Sequence, residues 1–384
     1  MSADLNQVFS EEIRQWRLDL HRHPELAYEE HRTSKFVAKK LAGYGYAVTS
    51  GLGGTGIVGT LQRGTASRAI ALRADMDALP IQEQTGLPHA STVSGVMHAC
   101  GHDGHTSMLL GAARLAASRK DLNGTLHVIF QPAEEVEGGA LQMIKDGLFD
   151  RIFPDQVFGL HNWPYTAPGT VSAPDGPMMS AFGTFDIKVE GKGAHGAMPH
   201  QSADPVLAAS QIVSALQVIA SRNISPLDSI VISVTRIQGG DAYNVIPEIV
   251  RMGGTTRWFS AEAGDLIERR LAEVAQSVAA GFECRAAVTH LRRYPATIND
   301  AGAAAFVRAS ASEAGFEVIS PQPSMGAEDF AFFLEKKPGS YIWLGSAREG
   351  ENPVLHSPRF DFNDAVLGDG VRLWNHLITK ALTA

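Results

Sequence analysis

The sequence predicts an α/β protein of two domains, one of which is inserted into the other. The length of 384 residues exceeds what one ordinary hydrophobic core holds, so two domains are expected. Before about residue 180, helices alternate with strands that end in polar, ligand-type side chains, and this pattern returns after residue 293. We therefore predict a discontinuous domain at 1–179 and 294–384 and an inserted domain at 180–293.

Composition and charge exclude several classes of partner. The net charge is −8 and no basic tract is present, so nucleic acid is not an expected partner. No apolar run approaches the ~18 residues of a membrane span, and the first residues lack a signal-peptide pattern. Two cysteines do not make a disulfide scaffold. These features predict a cytoplasmic protein that binds neither nucleic acid nor membranes.

The first domain begins with helices and continues with buried strands. Apolar residues have helical spacing at 10–22 and at 29–42, and strand patterns follow at 56–61 and 69–74. The second strand runs into Asp75 and Asp77, at the edge where open α/β sheets place their sites. For either aspartate alone, capping of a turn is about as good an explanation as a functional role.

Ligand-type side chains concentrate at 97–106, which contains three histidines, Cys100 and Asp103. Because a segment with helical spacing follows, we expect a loop that enters a helix, with Asp103 or Thr106 as its N-cap. Cys100 and His102 are two positions apart in a glycine-rich turn, and divalent metals accept sulfur and nitrogen ligands. A polar turn with a buried cysteine is the alternative, but the whole cluster favours a metal site.

Two later strands and one loop supply further candidates. The strand at 125–130 leads into Glu134 and Glu135, whose neighbouring side chains point in different directions, which suits one metal ligand beside one general base. The strand at 156–160 ends in His161, and the loop before the last helix contains His356. A lone histidine is more often a core residue, but the repeated pattern favours metal. Five ligands exceed one tetrahedral site, so two ions that share a ligand are expected.

The inserted domain has the β-α-β-β-α-β order of a ferredoxin-like motif. Its strands are predicted at 182–189, 229–237, 249–258 and 282–288. Its helices are predicted at 204–221 and 261–280, and the first of them has Asp204 as N-cap and Pro205 at the first helical position. After the insert, helices are predicted at 300–314 and 365–382. Another helix is expected to begin at Gly326, with Glu328 and Asp329 in its first turn.

Taken together, the motifs resemble the aminoacylase/carboxypeptidase-type di-metal peptidase family, in its branch of hippurate hydrolases, N-acyl-L-amino-acid amidohydrolases and auxin-conjugate hydrolases. The resemblance covers nearly the whole chain, and the order and spacing of the motifs make it specific. Many family members have His-x-Asp where this chain has Asp75-Met76-Asp77, a departure that matches the amidohydrolase branch. The motifs are 21–26, 74–80, 97–103, 131–135, 159–161, 193–195, 244–247 and 326–330.

The resemblance implies a mixed-sheet catalytic domain that holds two divalent metal ions per subunit, with Mn, Zn, Ni and Co all open. Cys100 would bridge the ions, and Asp77 would hold one of the ligands in place. Glu134 would act as general base and acid, and His195 would stabilise the oxyanion. The remaining metal ligands would be His102, Glu135, His161 and His356, and the substrate-binding residues would be Asn244, Arg257 and Gly326.

The implied reaction is metal-dependent hydrolysis of the amide bond of N-acyl amino acids to a carboxylic acid and a free amino acid. Benzoyl, acetyl, indole-acetyl and longer acyl groups all fit the sequence. The insert would serve as a lid and as the dimerisation domain of a homodimer or a dimer-based oligomer. The alternatives are a dipeptidase or carboxypeptidase of the same family, or a non-catalytic homologue that binds acyl amino acids. The intact Glu134 and the complete ligand set argue against the last.

Overall fold

The protein is described by a computed structural model that covers residues 7–136, 138–350 and 352–383. The chain divides into a large unit (Met1–Met178, Ile298–Gln322 and Glu328–Ala384) and a small unit (Met179–Thr297 and Pro323–Ala327). Each unit has its own cluster of buried apolar side chains. The small unit includes a second short segment, 323–327, that lies outside the predicted range of 180–293.

The helices and strands are numbered in chain order. The helices are α1 (Gln7–Arg22), α2 (His31–Gly43), α3 (His102–Ser118), α4 (Gly139–Lys145), α5 (Leu148–Arg151), α6 (Pro205–Val218), α7 (Ala261–Gly281), α8 (Ala301–Glu313), α9 (Ala331–Leu334) and α10 (Leu367–Leu382). The strands are β1 (Ala47–Leu52), β2 (Gly56–Arg63), β3 (Ala69–Asp75), β4 (Gly124–Gln131), β5 (Gln156–Trp163), β6 (Thr170–Ser172), β7 (Gly176–Met179), β8 (Ala181–Glu190), β9 (Ala194–His195), β10 (Val231–Gln238), β11 (Val245–Ile246), β12 (Ile249–Trp258), β13 (Arg285–Tyr294), β14 (Thr297–Asn299), β15 (Glu317–Val318) and β16 (Gly339–Gly345).

An eight-stranded mixed sheet organises the large unit, as predicted. Its strand order is β1-β2-β4-β3-β5-β16-β6-β15. The central strands β4, β3, β5 and β16 run parallel to one another, whereas β1 and β2 pair antiparallel with their neighbours. Every residue of β3 and β16 is buried, which is typical of parallel strands covered on both faces. The loops after β3, β4 and β5 therefore leave the sheet at one edge.

The small unit is a four-stranded antiparallel sheet with two helices, and it confirms the predicted ferredoxin-like order. The strands lie in the order β10-β12-β8-β13, and α6 and α7 share the core formed by the buried face of the sheet. Residues of β8 alternate between buried and more exposed positions, as a sheet covered on one face requires. Asp204 caps α6 through bonds from the amides of Val206 and Leu207. Strands β9 and β11 form a separate ladder.

Two helix starts differ from the sequence predictions. Helix α3 begins at His102 after Gly101, which has φ 100° and offers no side-chain cap, so the predicted caps at Asp103 and Thr106 are wrong. Asp103 lies in the first turn, where its carboxylate bonds to His21. Helix α9 begins only at Ala331. The predicted helix start at Gly326 is therefore wrong, and the acids before α9 take part in a buried ion pair instead. Among the described residues, no helix has the length and apolarity that crossing a membrane requires.

Candidate metal centre

The large unit brings the predicted metal ligands and the predicted general base, Glu134, together at the carboxyl edge of its parallel strands. One ligand lies at the end of β5, two acids follow β4, a cysteine and a histidine lie at the start of α3, and another histidine comes from the loop before α10. This is the edge at which open α/β sheets place their sites. The residues brought together are Cys100, His102, Glu134, Glu135, His161 and His356.

Two groups of ligand atoms share the thiol of Cys100. One group consists of Cys100, His102 and His161, and the other of Cys100, Glu135 and His356; within each group the atoms lie within 4.8 Å of one another. The sulfur of Cys100 is 3.3 Å from Nε2 of His161, and Oε1 of Glu135 is 3.2 Å from Nε2 of His356. A ligand shared between two three-residue groups suits a pair of bridged ions.

Two histidines direct a ring nitrogen toward this cluster. Nδ1 of His161 donates to the carbonyl oxygen of Asn162 at 2.7 Å, which leaves Nε2 as an acceptor facing Cys100. Nδ1 of His102 lies 3.2 Å from Oδ1 of Asp77, and its buried Nε2 has no hydrogen-bond partner among the described residues. Metal-binding histidines are held through the second ring nitrogen in this way. The residues therefore fit a divalent cation.

Asp77 contacts two of the candidate ligands at once. Its Oδ1 faces His102, and its Oδ2 accepts a hydrogen bond of 3.0 Å from the amide of Glu135. The side chain is 1% exposed, so water does not compete for these bonds. A single buried carboxylate thus orients a histidine from α3 and a glutamate from the loop after β4.

The cluster carries an excess of buried negative charge. Burial raises the pKa of the Cys100 thiol well above its ordinary value, and Glu135 and Glu134 raise it further. Burial also raises the pKa of Glu134, together with the nearby carboxylates of Glu328 and Glu135. Divalent cations would offset this repulsion and allow the thiolate and carboxylates to remain ionised. The electrostatics thus agree with the geometry of the two ligand groups.

Residues 71–380 match the peptidase family M20/M25/M40. The chain belongs to this family. Its sequence is 40% identical over 375 residues to the hippurate hydrolase of Campylobacter jejuni, with 97% of each chain covered. It is 38% identical over 364 residues to an N-acetylcysteine deacetylase of Bacillus subtilis, with 94% of each covered. It is also 40% identical over 375 residues to IAA-amino acid hydrolase ILR1-like 4 of Arabidopsis thaliana, covering 95% of this chain and 84% of that protein.

A solved structure agrees with these sequence comparisons. A Bacillus subtilis protein described as a dinuclear metal binding peptidase from the M20 family has a TM-score of 0.87 and 34% identity, and the match covers 98% of this chain and 99% of that one. The family and branch predicted from the motifs are therefore confirmed, as is the two-part α/β fold. The M20 relative binds two metal ions, which is the number predicted here from the ligand count.

The M20 chain also contains a buried ion-pair network beside the cluster that the sequence analysis missed. Arg73 is 1% exposed and bonds to Asp75 at 2.7 Å, to Glu328 at 3.0 Å and to Asp329 at 3.1 Å. Carboxylate oxygens of Glu328 and Asp329 in turn lie within 4.8 Å of a carboxylate oxygen of Glu134. The available signal was a single arginine in the otherwise apolar strand 69–74. Arg73 partly neutralises the acids that surround Glu134.

A second missed element is a hydrogen-bonded row of side chains behind the ligands. Oδ1 of Asp75 is 2.6 Å from Nδ1 of His105, and Nε2 of His105 is 2.7 Å from Oδ1 of Asn162. His105 also packs against the ring of His161, with 4.5 Å between centroids. Asp75, which the sequence left undecided between a cap and a functional role, therefore supports the cluster through His105. The third histidine of the stretch 97–106 was the signal for this contact.

The remaining predicted residues of this M20 protein belong to the small unit. His195 pairs with Val245 in the β9–β11 ladder, and Asn244 directly precedes β11, where its carbonyl accepts a bond of 2.8 Å from the amide of Gly196. Arg257 lies on β12 with its guanidinium 4.2 Å from the centroid of the Phe182 ring. Gly326 lies in the segment 323–327, where its amide bonds to Ser324. The small unit thus brings His195 and Asn244 together, while their roles and those of Arg257 and Gly326 stay predictions.

Proposed function

We propose that this protein hydrolyses the amide bond of N-acyl amino acids, releasing a carboxylic acid and a free amino acid. The observation that carries the proposal is the pair of ligand groups joined by Cys100, with Glu134 within 4.8 Å of ligand atoms from His102 and Glu135. The names of the relatives support the substrate class, since hippurate, N-acetylcysteine and IAA-amino acids all carry an acyl group on the nitrogen of an amino acid.

The cluster would hold two divalent ions through Cys100, His102, Glu135, His161 and His356. Such ions supply Lewis acidity and activation of water. Glu134 would accept the proton of the attacking water and deliver it to the nitrogen of the leaving amino acid. Its burial and the acids around it raise its pKa, which favours a carboxyl that can carry a proton during the reaction.

The geometry of His195 suits donation to an oxyanion. The amide of Ala197 donates to Nδ1 of His195 at 3.0 Å, so Nδ1 acts as an acceptor and Nε2 is the ring nitrogen that carries a proton. An N–H fixed in this way can stabilise the negative charge that develops on the acyl oxygen. Asn244 and Arg257 would hold the substrate carboxylate. The homodimer or dimer-based oligomer formed through the small unit belongs to the same proposal, and sedimentation equilibrium tests it.

The test is amino acid release from hippurate, N-acetyl amino acids, indole-acetyl amino acids and plain dipeptides. Protein stripped by a chelator is assayed before and after addition of Mn, Zn, Co or Ni. Metal-dependent release of the amino acid from one class of acylated substrate supports the proposal and identifies the acyl group. Release from dipeptides alone would assign the chain to the peptidase alternative, and absence of release with ions bound would favour a binding protein.

Glu134→Gln is the matched variant for this assay, because it keeps the size and polarity of the side chain but cannot accept the proton. We expect unchanged metal content and a fall in turnover of roughly 10²–10⁴-fold, the usual contribution of a general acid–base group. Metal content is measured by elemental analysis and turnover by the release assay. Turnover close to that of the unmodified protein would remove Glu134 from the proton-transfer role.

A further inference from the structure

The turn that carries Glu134 and Glu135 is held in an unusual conformation. Ala133 has φ 53°, in the left-handed region that is unfavourable for a non-glycine residue. Its carbonyl accepts a bond of 3.0 Å from the amide of Gly139, and a side chain at Gly139 would meet the carbonyl oxygen of Pro132 at 1.8 Å. A strained residue of this kind persists only where its surroundings over-determine it.

A buried carboxylate that has no assigned role supplies that support. Glu30 is 0% exposed, and its Oε1 accepts a hydrogen bond of 2.9 Å from the amide of Ala133. Its second oxygen, Oε2, accepts a bond of 2.6 Å from the hydroxyl of Thr55. Because a carboxylate accepts at both oxygens, Glu30 joins the turn after β4 to the turn between β1 and β2.

Glu30 does not use its carboxylate for the helix that it precedes. It is the N-cap residue of α2 but makes no side-chain cap bond in the described part of the chain. Glu25 fills that role instead, accepting from the amides of Arg32 and Thr33 at 2.8 Å each. Glu25 therefore caps α2, and of the two glutamates it is Glu30 that contacts the turn leading to Glu134.

The amides of the turn are thus held by two buried carboxylates. Glu30 binds the amide of Ala133, and Asp77 binds the amide of Glu135 at 3.0 Å. Glu134 lies between these two fixed peptides. One carboxylate oxygen of Glu134 lies within 4.8 Å of carboxylate oxygens of Glu328 and Asp329. A carboxylate oxygen of Glu135 lies within 4.8 Å of the sulfur of Cys100. The directions of the two glutamate side chains depend on the peptide planes that the two carboxylates fix.

We propose that Glu30 is a positioning residue that, through the peptide of Ala133, directs Glu134 toward proton transfer and Glu135 toward the metal ions. Loss of its bond to Ala133 would let the turn relax from the left-handed conformation. Both glutamates would then shift relative to the other ligands. The part that concerns Glu134 rests on the proposed function, whereas the part that concerns Glu135 needs only metal binding.

The experiment compares Glu30→Ala, Glu30→Asp and Glu30→Gln with Glu25→Ala as the matched control. Each full-length variant is measured for melting temperature without metal, for equilibrium affinity of Mn²⁺ and Zn²⁺, and for kcat and KM with the best acylated substrate. We expect Glu30→Ala to lower metal affinity by roughly 10–100-fold and kcat by roughly 10²-fold, with a smaller change in KM. Glu30→Asp, which is too short to reach Ala133, should show the same pattern.

Glu30→Gln keeps an oxygen that can accept from Ala133, so it should restore most of the affinity and the kcat. Glu25→Ala should lower the melting temperature but leave affinity and kcat as they are in the unmodified protein. If Glu30→Ala does not fold, the Asp and Gln variants decide the question. Unchanged metal affinity and kcat in Glu30→Asp, or losses in Glu25→Ala equal to those in Glu30→Asp, would overturn the proposal. If the unmodified protein cleaves no acylated substrate, the proposed function fails while the affinity measurement still tests Glu30.

Discussion

At the scale of single residues, the site depends on side chains that each serve two partners. Cys100 belongs to both ligand groups, Asp77 contacts His102 and Glu135, and Glu30 joins Thr55 to Ala133. Because each of these groups is buried, a lost bond leaves a polar partner without water to replace it. Substitutions at such shared residues should cost more than substitutions at ligands with a single role.

For Cys100, we expect substitution by alanine to reduce binding at both ion positions, whereas Cys100→Asp retains an anionic group that can bridge. The expected order of metal content and turnover is therefore unmodified protein, then Cys100→Asp, then Cys100→Ala. Elemental analysis after dialysis and the release assay measure the two quantities. Cys284→Ser is the control, because this other buried cysteine lies in the core of the small unit. Full metal content in Cys100→Ala would contradict a shared ligand.

At the scale of elements, the site depends on where strands end and on how α3 begins. Gly101 has φ 100°, and a side chain there would meet Oδ1 of Asn162 at 2.1 Å. This glycine turns the chain between Cys100 and His102, whose ligand atoms lie within 4.8 Å of each other.

We expect Gly101→Ala to destabilise the protein by roughly 1–3 kcal/mol, through strain at positive φ and the clash with Asn162, and to lower metal affinity as well. Denaturant unfolding and metal titration measure the two effects. Gly43→Ala is the control, since an added side chain at Gly43 has nothing within 4 Å in the described structure and should change stability by less than ~0.5 kcal/mol. Equal effects of the two substitutions would contradict this account of Gly101.

The elements and ligands that could be predicted from sequence are those with local signals. His161 directly ends a buried strand, and Cys100 and His102 lie in one motif, so each could be recognised without knowledge of the fold. Glu30 and Ala133 lie far apart in sequence, and nothing near Glu30 distinguishes it from the solvated acids of other helix starts. Arg73 and its partners Glu328 and Asp329 likewise meet only through the fold. Buried polar contacts of this kind depend on tertiary packing, which local patterns do not encode.

At the scale of the whole molecule, a buried network of charges joins distant parts of the large unit. Arg17 on α1 is fully buried, lies 3.2 Å from Asp103 on α3 and pairs with Asp361 in the loop before α10. On the same helix, Nδ1 of His21 is 2.8 Å from Oδ2 of Asp103. Burial alone would lower the pKa of His21, but the hydrogen bonds to Asp103 and Glu83 outweigh it and raise the pKa to about 9.

This raised pKa predicts that stability depends on pH in the alkaline range. The folded state holds the His21 proton more tightly than the unfolded state, whose pKa is near 6.5, so the contribution is complete below that pH and is lost as the pH rises through about 9. For the metal-free protein we expect a loss of roughly 3 kcal/mol between pH 6 and pH 9. Denaturant unfolding of the unmodified protein and of His21→Asn at each pH measures this loss of stability. Parallel pH profiles of the two proteins would contradict the assignment.

The arrangement of the large sheet also has a consequence for synthesis on the ribosome. Strand β5 pairs on one side with β3, which precedes it, and on the other with β16, which is translated only after the main segment of the small unit. Until then, the nascent chain carries β5 with one edge unpaired, although its residues are almost all buried in the finished sheet. Unpaired apolar edges promote association between chains. The inserted unit therefore lengthens the interval during which a newly made chain benefits from protection by chaperones.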